Sequence, residues 1–417
     1  MIERVPLSAR LGALRERNLA LLVGSTGIST LGTGMAQVAL AFAVLRIGTA
    51  TDLGYVLVAR EIPIVGFLLL GGVWADRVSR HLLLVAGDLV SGAAQATGAA
   101  LLLVGGATVW NLALLQIAFG VASAFTRPAS VGLVPQVVKP EHLQQANALI
   151  DLSRSTLRIA GPAIGGAIVV AANPGWALAV DATTFFVSAS LRGAMRIPKA
   201  ADHVRGVGSI VGDLRDGWRE FTSRSWVCAM VAGFGVFQLT LFPAMLVLGP
   251  YVAKAHLGGA GAWGAILACQ AAGSVAGGLA ALRLRLRRPL VGNWLLCLPI
   301  AGLLVLLGAA VPTWILCTVG LFASAGLTAA DIVWTTVLQQ RIPPHALSRI
   351  ASFDWFGSVA LNPIGYVLVG PVSSAIGVAS TLYVAGGINA ATGVLVALIP
   401  SVRAMKADER AVATVAA

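Results

Sequence analysis

Twelve apolar stretches, each long enough to cross a lipid bilayer, dominate this chain of 417 residues. A helix needs about 20 apolar residues to span the hydrocarbon core. The stretches cover residues 18–45, 53–75, 82–104, 109–133, 146–172, 175–195, 225–252, 260–282, 290–310, 313–338, 350–374 and 377–400. Charged residues make up only 11% of the chain, against roughly 25% in soluble domains. The sequence therefore predicts an all-α membrane protein with twelve transmembrane helices.

Most of the basic residues fall on alternate loops, with Arg46 and Lys254 as exceptions on the other loops, and the formal net charge is +12. They crowd the N-terminus, the loop 76–81, the segment 196–224, the run 283–288 and the C-terminal tail. Loops rich in Lys and Arg stay in the cytoplasm, so both termini and the central segment are predicted to be cytoplasmic. A role in topology accounts for this charge without a nucleic-acid partner.

The segment 196–224 separates two groups of six stretches. Its apolar residues Ile210, Leu214, Trp218 and Phe221 recur at helical spacing, which predicts an amphipathic helix on the inner leaflet. We expect it to link two six-helix halves, the second ending in a short cytoplasmic tail. The predicted domains are residues 1–195, 196–224 and 225–417.

Short phrases repeat at equivalent places in the two predicted halves. PEHL at 140–143 is echoed by PHAL at 344–347, and PAIG at 162–165 by PIG at 363–365. Two helical bundles in parallel repeat are one arrangement found among secondary transporters. The repeat therefore favours transport as the function.

The loop after the second stretch reads GGVWADRVSR at residues 71–80. Gly72 lets a neighbouring helix approach closely, Asp76 can neutralise a helix N-terminus, and the arginines can pair with acidic groups. We refer to Gly72, Asp76, Arg77 and Arg80 as the conformational latch. The alternative is that Arg77 and Arg80 only enforce topology.

The fifth stretch contains the sequence RIAGPAIGG at residues 158–166. Pro162 removes a backbone donor and bends the helix, while Gly161, Gly165 and Gly166 form a flat face for close packing. The alternative is a packing kink of the kind any polytopic protein can contain.

These two motifs resemble those of the major facilitator superfamily. The loop matches the pattern GxxxDRxxR, with a similar GGLAALRLRLRR at 277–288 that lacks the acid, and GPxxGG resembles the exporter signature of the same family. Phrases such as LVPQ at 133–136, EHLQQAN at 141–147 and VLQQRIPPHALSRI at 337–350 look like its branch of siderophore (enterobactin) exporters and macrolide efflux proteins. One departure is QIAFG at 116–120, where the family often carries RxxQG.

The resemblance implies a proton-coupled exporter of small amphipathic molecules, such as drugs or siderophore-like metabolites, that works by alternating access. It also implies a monomer in the bacterial cytoplasmic membrane, without a cofactor or metal. A proton-coupled uptake symporter and a lipid-like metabolite flippase of the same fold stay open as alternatives.

Acidic residues inside the stretches are the candidates for coupling transport to protons, because ionisable groups in lipid are costly and mark function. Asp331 lies ten residues before Arg341, about 15 Å along a helix. Asp181 lies eleven residues before Arg192, and Glu61 sits in the outer part of the second stretch. These three are the candidate proton carriers, with Arg158 as a candidate partner for an anion or carboxylate. The alternative is that the acids form neutralised pairs with nearby arginines.

The substrate cavity is expected near the middle of the membrane, between the halves. Its candidate lining residues are Gln37, Gln116, Gln238, Gln270 and Trp334. Each could instead make a hydrogen bond between helices, worth about 0.6 kcal/mol on average.

Several other classes of protein lack their required motif in this sequence. An ATP-driven pump needs a glycine-rich loop ending in Gly-Lys, and a zinc enzyme of the HExxH type needs paired histidines; neither pattern occurs. A channel or scaffold would explain the spans but not the two motifs. The chain is therefore predicted not to be an enzyme.

Replacing Asp76 by Asn tests the conformational latch. Transport turnover is expected to fall while membrane insertion stays intact, because the amide keeps the size of the side chain but cannot neutralise a positive partner. The measurement is turnover per inserted molecule in membrane vesicles, and an unchanged turnover would contradict the latch.

Overall fold

The computed structural model describes residues 16–75, 79–138, 143–196, 218–281, 283–284, 286–342 and 344–406. Nearly all of these residues are helical. The helices are α1 Arg17–Ile47, α2 Ala50–Ala75, α3 Arg80–Leu103, α4 Val109–Val137, α5 Leu143–Ala171, α6 Pro174–Gly193, α7 Ser225–Pro243, α8 Gly249–His256, α9 Ala260–Ala281, α10 Pro289–Gly308, α11 Thr313–Arg341, α12 Pro344–Val359, α13 Asn362–Ile376, α14 Val378–Leu398 and α15 Pro400–Arg403, with a π-helix at Ala244–Leu248.

The predicted all-helical membrane fold is confirmed. Within the described ranges, nine helical segments are long and apolar enough to cross a membrane. The described part of each of the twelve apolar stretches is helical except at a few end residues and at the break within the eleventh, and two of the stretches are composite. The seventh consists of α7, the π-helix and α8, and the eleventh is divided between α12 and α13.

Prolines mark both interruptions. The π-helix follows Pro243 directly, and a proline removes one backbone donor and displaces the preceding turn. Pro363 stands in the first turn of α13, where its missing N–H would be unpaired in any case. A proline inside a helix clashes with the carbonyl group four residues earlier, and α12 ends at that residue, Val359.

Tight caps separate the helices at several turns. Thr108 and Asn111 form a capping box at the start of α4, in which each side chain binds the backbone N–H of the other. The Asn173 side chain caps α6, with Pro174 in its first turn. These caps use the helix-end N–H groups that lipid could not satisfy.

The described residues divide into two compact units. The first lies within Met1–Gly206 and Ala253–Ala268, and the second within Val207–Val252 and Cys269–Ala417. In the first unit, α1 packs against α5 and α6, α2 against α4, and α3 against α6 and α4. In the second unit, α10 packs against α11 and α14, and α7 against α12, α13 and α14. The predicted boundaries of two halves and a linker stay a prediction, and most of the linker lies outside the described residues.

Apolar side chains cover the outside of both units, and polar ones lie inside. Leu114 is 67% exposed and Leu395 is 65% exposed, whereas Asp181, Ser188 and Asn293 are completely buried. Exposed apolar surface on this scale is unusual in water and is the ordinary outer surface of a protein in lipid.

Glycines of the fifth stretch bring backbones into contact within the first unit. A Cβ on Gly161 would lie 2.9 Å from Gly34 Cα of α1, and one on Gly165 would lie 2.6 Å from Met35 Cα. On the neighbouring residue, a Cβ at Gly166 would lie 2.7 Å from the carbonyl oxygen of Ala260. The flat glycine face thus packs α5 against α1 and the start of α9 at distances that no larger residue permits.

Replacing Gly165 by Ala tests this close packing. The added methyl group would meet the backbone of Met35, which cannot move aside like a side chain, so we expect a loss of about 1–3 kcal/mol in stability. The measurement is the thermal unfolding midpoint of the purified protein in detergent.

Gly302→Ala is the matched control, because a Cβ at Gly302 would have nothing within 4 Å. Its midpoint is expected to stay or to rise, since alanine favours a helix over glycine. Equal midpoints for the two variants would contradict the packing role of Gly165.

Candidate functional site

Asp181 lies at the centre of a closed polar cluster in the first unit. The residue is 0% exposed, and Gln95 Nε2 of α3 donates a hydrogen bond of 2.5 Å to its Oδ2 atom. The Thr184 hydroxyl donates to the backbone carbonyl of Asp181 at 2.7 Å and lies 3.4 Å from Oδ1. Gly32 of α1 closes the cluster, because a Cβ there would overlap Oδ1.

The guanidinium of Arg60 contributes positive charge to the surroundings of the Asp181 carboxylate. It lies over the ring of Phe119, with Cζ 4.6 Å from the ring centroid, and Phe119 packs edge-on against Phe185 at 5.6 Å. Arg60 also interacts electrostatically with Asp181. The aromatic ring holds the arginine within the helices through a cation–π contact.

A second polar cluster lies further along the same helices, α3 and α6. Arg192 Nη1 donates to Asp88 Oδ1 at 2.9 Å, and both side chains are at most 7% exposed. The Ser188 hydroxyl donates to Asp88 Oδ2 at 2.6 Å, and Arg192 Nε lies 3.4 Å from the Ser25 hydroxyl of α1. His81 Nε2 is 2.7 Å from the backbone carbonyl oxygen of Arg192. Asp88 is therefore a fully paired buried acid.

The second unit contains a different acidic site. Trp334 Nε1 donates to Asp354 Oδ2 at 3.0 Å, while Asp354 Oδ1 is buried without a hydrogen-bond partner among the described residues. Asp331, one turn before Trp334, is exposed and interacts electrostatically with Asp354. Trp226 and Phe234 pack edge-on against Trp334 at 5.9 and 5.8 Å.

The other predicted coupling residues lie apart from these clusters. Glu61 is half-buried, and Arg158 is exposed. On the same face of α5, Arg154 interacts electrostatically with Asp151 and Arg158, as expected for neighbours one turn apart.

The five predicted cavity residues have very different surroundings. Gln116 and Trp334 are buried, Gln238 and Gln270 are half-buried, and Gln37 is exposed. Gln270 Nε2 is buried without a hydrogen-bond partner in the described part of the chain.

Half of the predicted latch cannot be placed. Asp76 and Arg77 lie outside the described residues, Gly72 belongs to α2, and Arg80 is the first residue of α3. Gly161, Gly165 and Gly166 of the fifth stretch form the close contacts of α5 with α1 and the start of α9.

Sequence reasoning missed four polar residues that complete the two clusters of the first unit, namely Arg60, Asp88, Gln95 and Arg192. The spacing of Asp88, Ser91 and Gln95 at i, i+3 and i+7 places them on one face of α3, which is a usable signal. Arg192 served as a marker of the cytoplasmic surface, yet it is only 6% exposed. A buried acid on the facing helix compensates its charge.

The Asp181 cluster is suited to binding and releasing a proton. Among the described residues, the direct hydrogen-bond donors to its carboxylate are the neutral side chains of Gln95 and Thr184. In the described ranges no group of three or more His, Cys, Asp or Glu residues could hold a metal ion.

Comparison with known proteins agrees with this architecture. The family model of the Major Facilitator Superfamily matches residues 22–359. The chain is 25% identical to the multidrug efflux pump Tap of Mycobacterium tuberculosis over 402 residues, which cover 92% of this chain and 93% of that protein. It is 24% identical to the pump of the same name from Mycolicibacterium fortuitum over 393 residues, or 89% and 93% of the two chains.

Solved structures of low sequence identity share the fold. The crystal structure of nucleoside transporter NupG has a TM-score of 0.70 at 12% identity and covers 93% of this chain and 100% of that chain. Because the family model matches residues 22–359, which is most of the sequence, the chain belongs to the Major Facilitator Superfamily and is a multi-pass membrane transporter.

Proposed function

We propose that this protein is a proton-coupled exporter of small amphipathic molecules, which alternates between inward-open and outward-open states. The observation that carries the proposal is the Asp181 carboxyl group, completely buried among helices and bonded to neutral donors. A drug-like cargo is supported by the relatives named multidrug efflux pumps, which match nine-tenths of the chain. Siderophore-like metabolites are the second cargo class we propose.

The surroundings of Asp181 favour a change in its charge. Inside a medium of low dielectric constant, an ionised carboxylate is costly and a protonated one is tolerated. The Gln95 amide and the charge of Arg60 can stabilise the ionised form. Both protonation states are therefore accessible, which coupling to a proton gradient requires.

Helix packing offers a way for this charge to alter conformation. Gly32 of α1 lies directly against the Asp181 carboxylate, and α1 also carries the backbone that Gly161 and Gly165 contact. A ligand shifts a conformational equilibrium only if it binds the two states differently. A proton on Asp181 would bind the two states with different affinity if α1 moves relative to α6 between them.

The remaining assignments belong to the same proposal. The bound molecule is expected to meet Gln37, Gln116, Gln238, Gln270 or Trp334, and the loop of Asp76 acts as the latch. The distribution of basic residues supports a bacterial inner membrane protein with cytoplasmic termini. We propose a monomer of two six-helix halves.

Replacing Asp181 by Asn tests the coupling role. The amide cannot exchange a proton in the physiological range, so transport driven by an imposed pH difference is expected to be abolished, while counterflow of substrate continues. A drug and siderophore sensitivity panel identifies the substrate first. Transport is then measured in proteoliposomes with and without the pH difference.

Asp52→Asn is the matched control, because Asp52 is a half-buried acid outside the polar clusters whose carboxylate caps the start of α2, and asparagine can also cap. Proton-driven transport by Asp181→Asn at the control rate would contradict the proposal. If Asp331→Asn alone lost the coupling, the proton site would move to Asp331 and Asp354.

A further inference from the structure

Polar side chains form a buried seam between α3 and α6. On α3 the seam contains Asp88, Ser91 and Gln95 at i, i+3 and i+7, and on α6 it contains Asp181, Thr184 and Ser188 at the same spacing. Each of these residues is at most 9% exposed. We define these six residues as the polar seam.

The hydrogen bonds of the seam show that it follows one register. Gln95 of α3 bonds to Asp181 of α6. Asp88, seven residues before Gln95, bonds to Ser188, seven residues after Asp181, as antiparallel helices require. The two bonded levels are therefore about 10 Å apart along the helices. By the same register, Ser91 and Thr184 stand between them and provide hydroxyl groups in the interval.

The seam is polar on only one side of Asp181. Toward the other ends of the helices, a Cβ on Gly98 would contact the side chains of Leu112, Leu115 and Leu178. Leu178 is 1% exposed and Ala99 is 3% exposed. Apolar packing thus closes this direction, while hydroxyl and carboxyl groups continue in the opposite one.

The polar direction leads to the end of the helices where basic residues collect. Arg192 and His81 stand at this end, which the charge distribution predicts to be cytoplasmic. Three arginines among the described residues face the seam. Arg60 from α2 lies near Asp181, and Arg192 from α6 lies beside Asp88. Arg154 from α5 interacts electrostatically with Arg192.

We propose that the polar seam is the route by which the proton of Asp181 exchanges with the cytoplasm. This inference rests on the proposed proton-coupled function. The proton leaves the Asp181 carboxyl group, passes along the hydroxyls and transient water, is taken up by the Asp88 carboxylate and is released to solvent beside His81. The negative charge left on Asp181 stays beside Gln95 and Arg60.

The pairing of Asp88 with Arg192 suits a relay rather than a store. The guanidinium of Arg192 stabilises the ionised carboxylate against the cost of its burial, so Asp88 has a partner for the charge that remains when a proton is passed on. A purely adhesive role for the seam would require neither the one-sided polarity nor a continuation to the basic end, since hydrogen bonds between membrane helices add only about 0.6 kcal/mol each.

Infrared spectroscopy of the purified full chain in lipid tests the route without any substrate. The stretching band of the Asp181 carboxyl group is identified by its loss in Asp181→Asn, and its rate of exchange with D₂O is measured. In the double variant Ser91→Ala/Ser188→Ala, exchange is expected to slow by at least about tenfold, because two positioned proton-transfer groups are removed. Ser190→Ala, on the exposed side of α6, is expected to exchange at the wild-type rate.

The outcomes separate the route from the proposed function. If no carboxyl band is lost in Asp181→Asn, Asp181 does not carry a proton and the proposed function fails. If the band is present but the double variant exchanges at the rate of Ser190→Ala, or faster, the seam is only structural and the inference is overturned. A loosened structure would accelerate exchange, so slowing cannot arise from destabilisation. Ser91→Ala alone is judged by the same criterion if the double variant does not fold.

Discussion

The free-energy cost of placing an ionisable group among lipid-embedded helices determines which partners the buried acids of this protein need. Two carboxylates lie buried along α3 and α6, and the structure treats them differently. Asp88 has a guanidinium at 2.9 Å, which stabilises its ionised form, whereas Asp181 accepts from a neutral amide and lies 3.4 Å from a hydroxyl. The proposed assignment of coupling to Asp181 depends on that difference.

Backbone contact through glycine connects this chemistry to the helix packing. One face of α1 is held by Gly161 and Gly165 of α5, and another encloses Asp181 through Gly32. The contacts of Gly161 and Gly165 join backbone to backbone, so they have few side-chain rotamers with which to absorb a displacement, whereas Gly32 meets the Asp181 side chain. A change at the carboxylate and a shift of α5 are therefore expected to act on the same helix.

Much of the fold could be predicted, and less of the site. Every apolar stretch corresponds to helix because lipid leaves no other way to satisfy the backbone. The divisions at Pro243 and Pro363 were not predicted, since prolines elsewhere, such as Pro162, lie within a continuous helix. The distance of Asp181 from Arg192 along the sequence identified it as a candidate for proton coupling. Its partners were not predicted, because Gln95 and Arg60 come from helices far away in sequence.

The sequence by itself determined the solvent of this protein, its helical class and its family, since these depend on the length and apolarity of segments and on local motifs. Only the tertiary structure decided which acids are compensated and which are not. Asp88 and Asp181 look alike along the chain, and Arg192 resembles a surface arginine. Their roles follow from the antiparallel register of α3 and α6, which depends on how two distant helices pack and not on either segment alone.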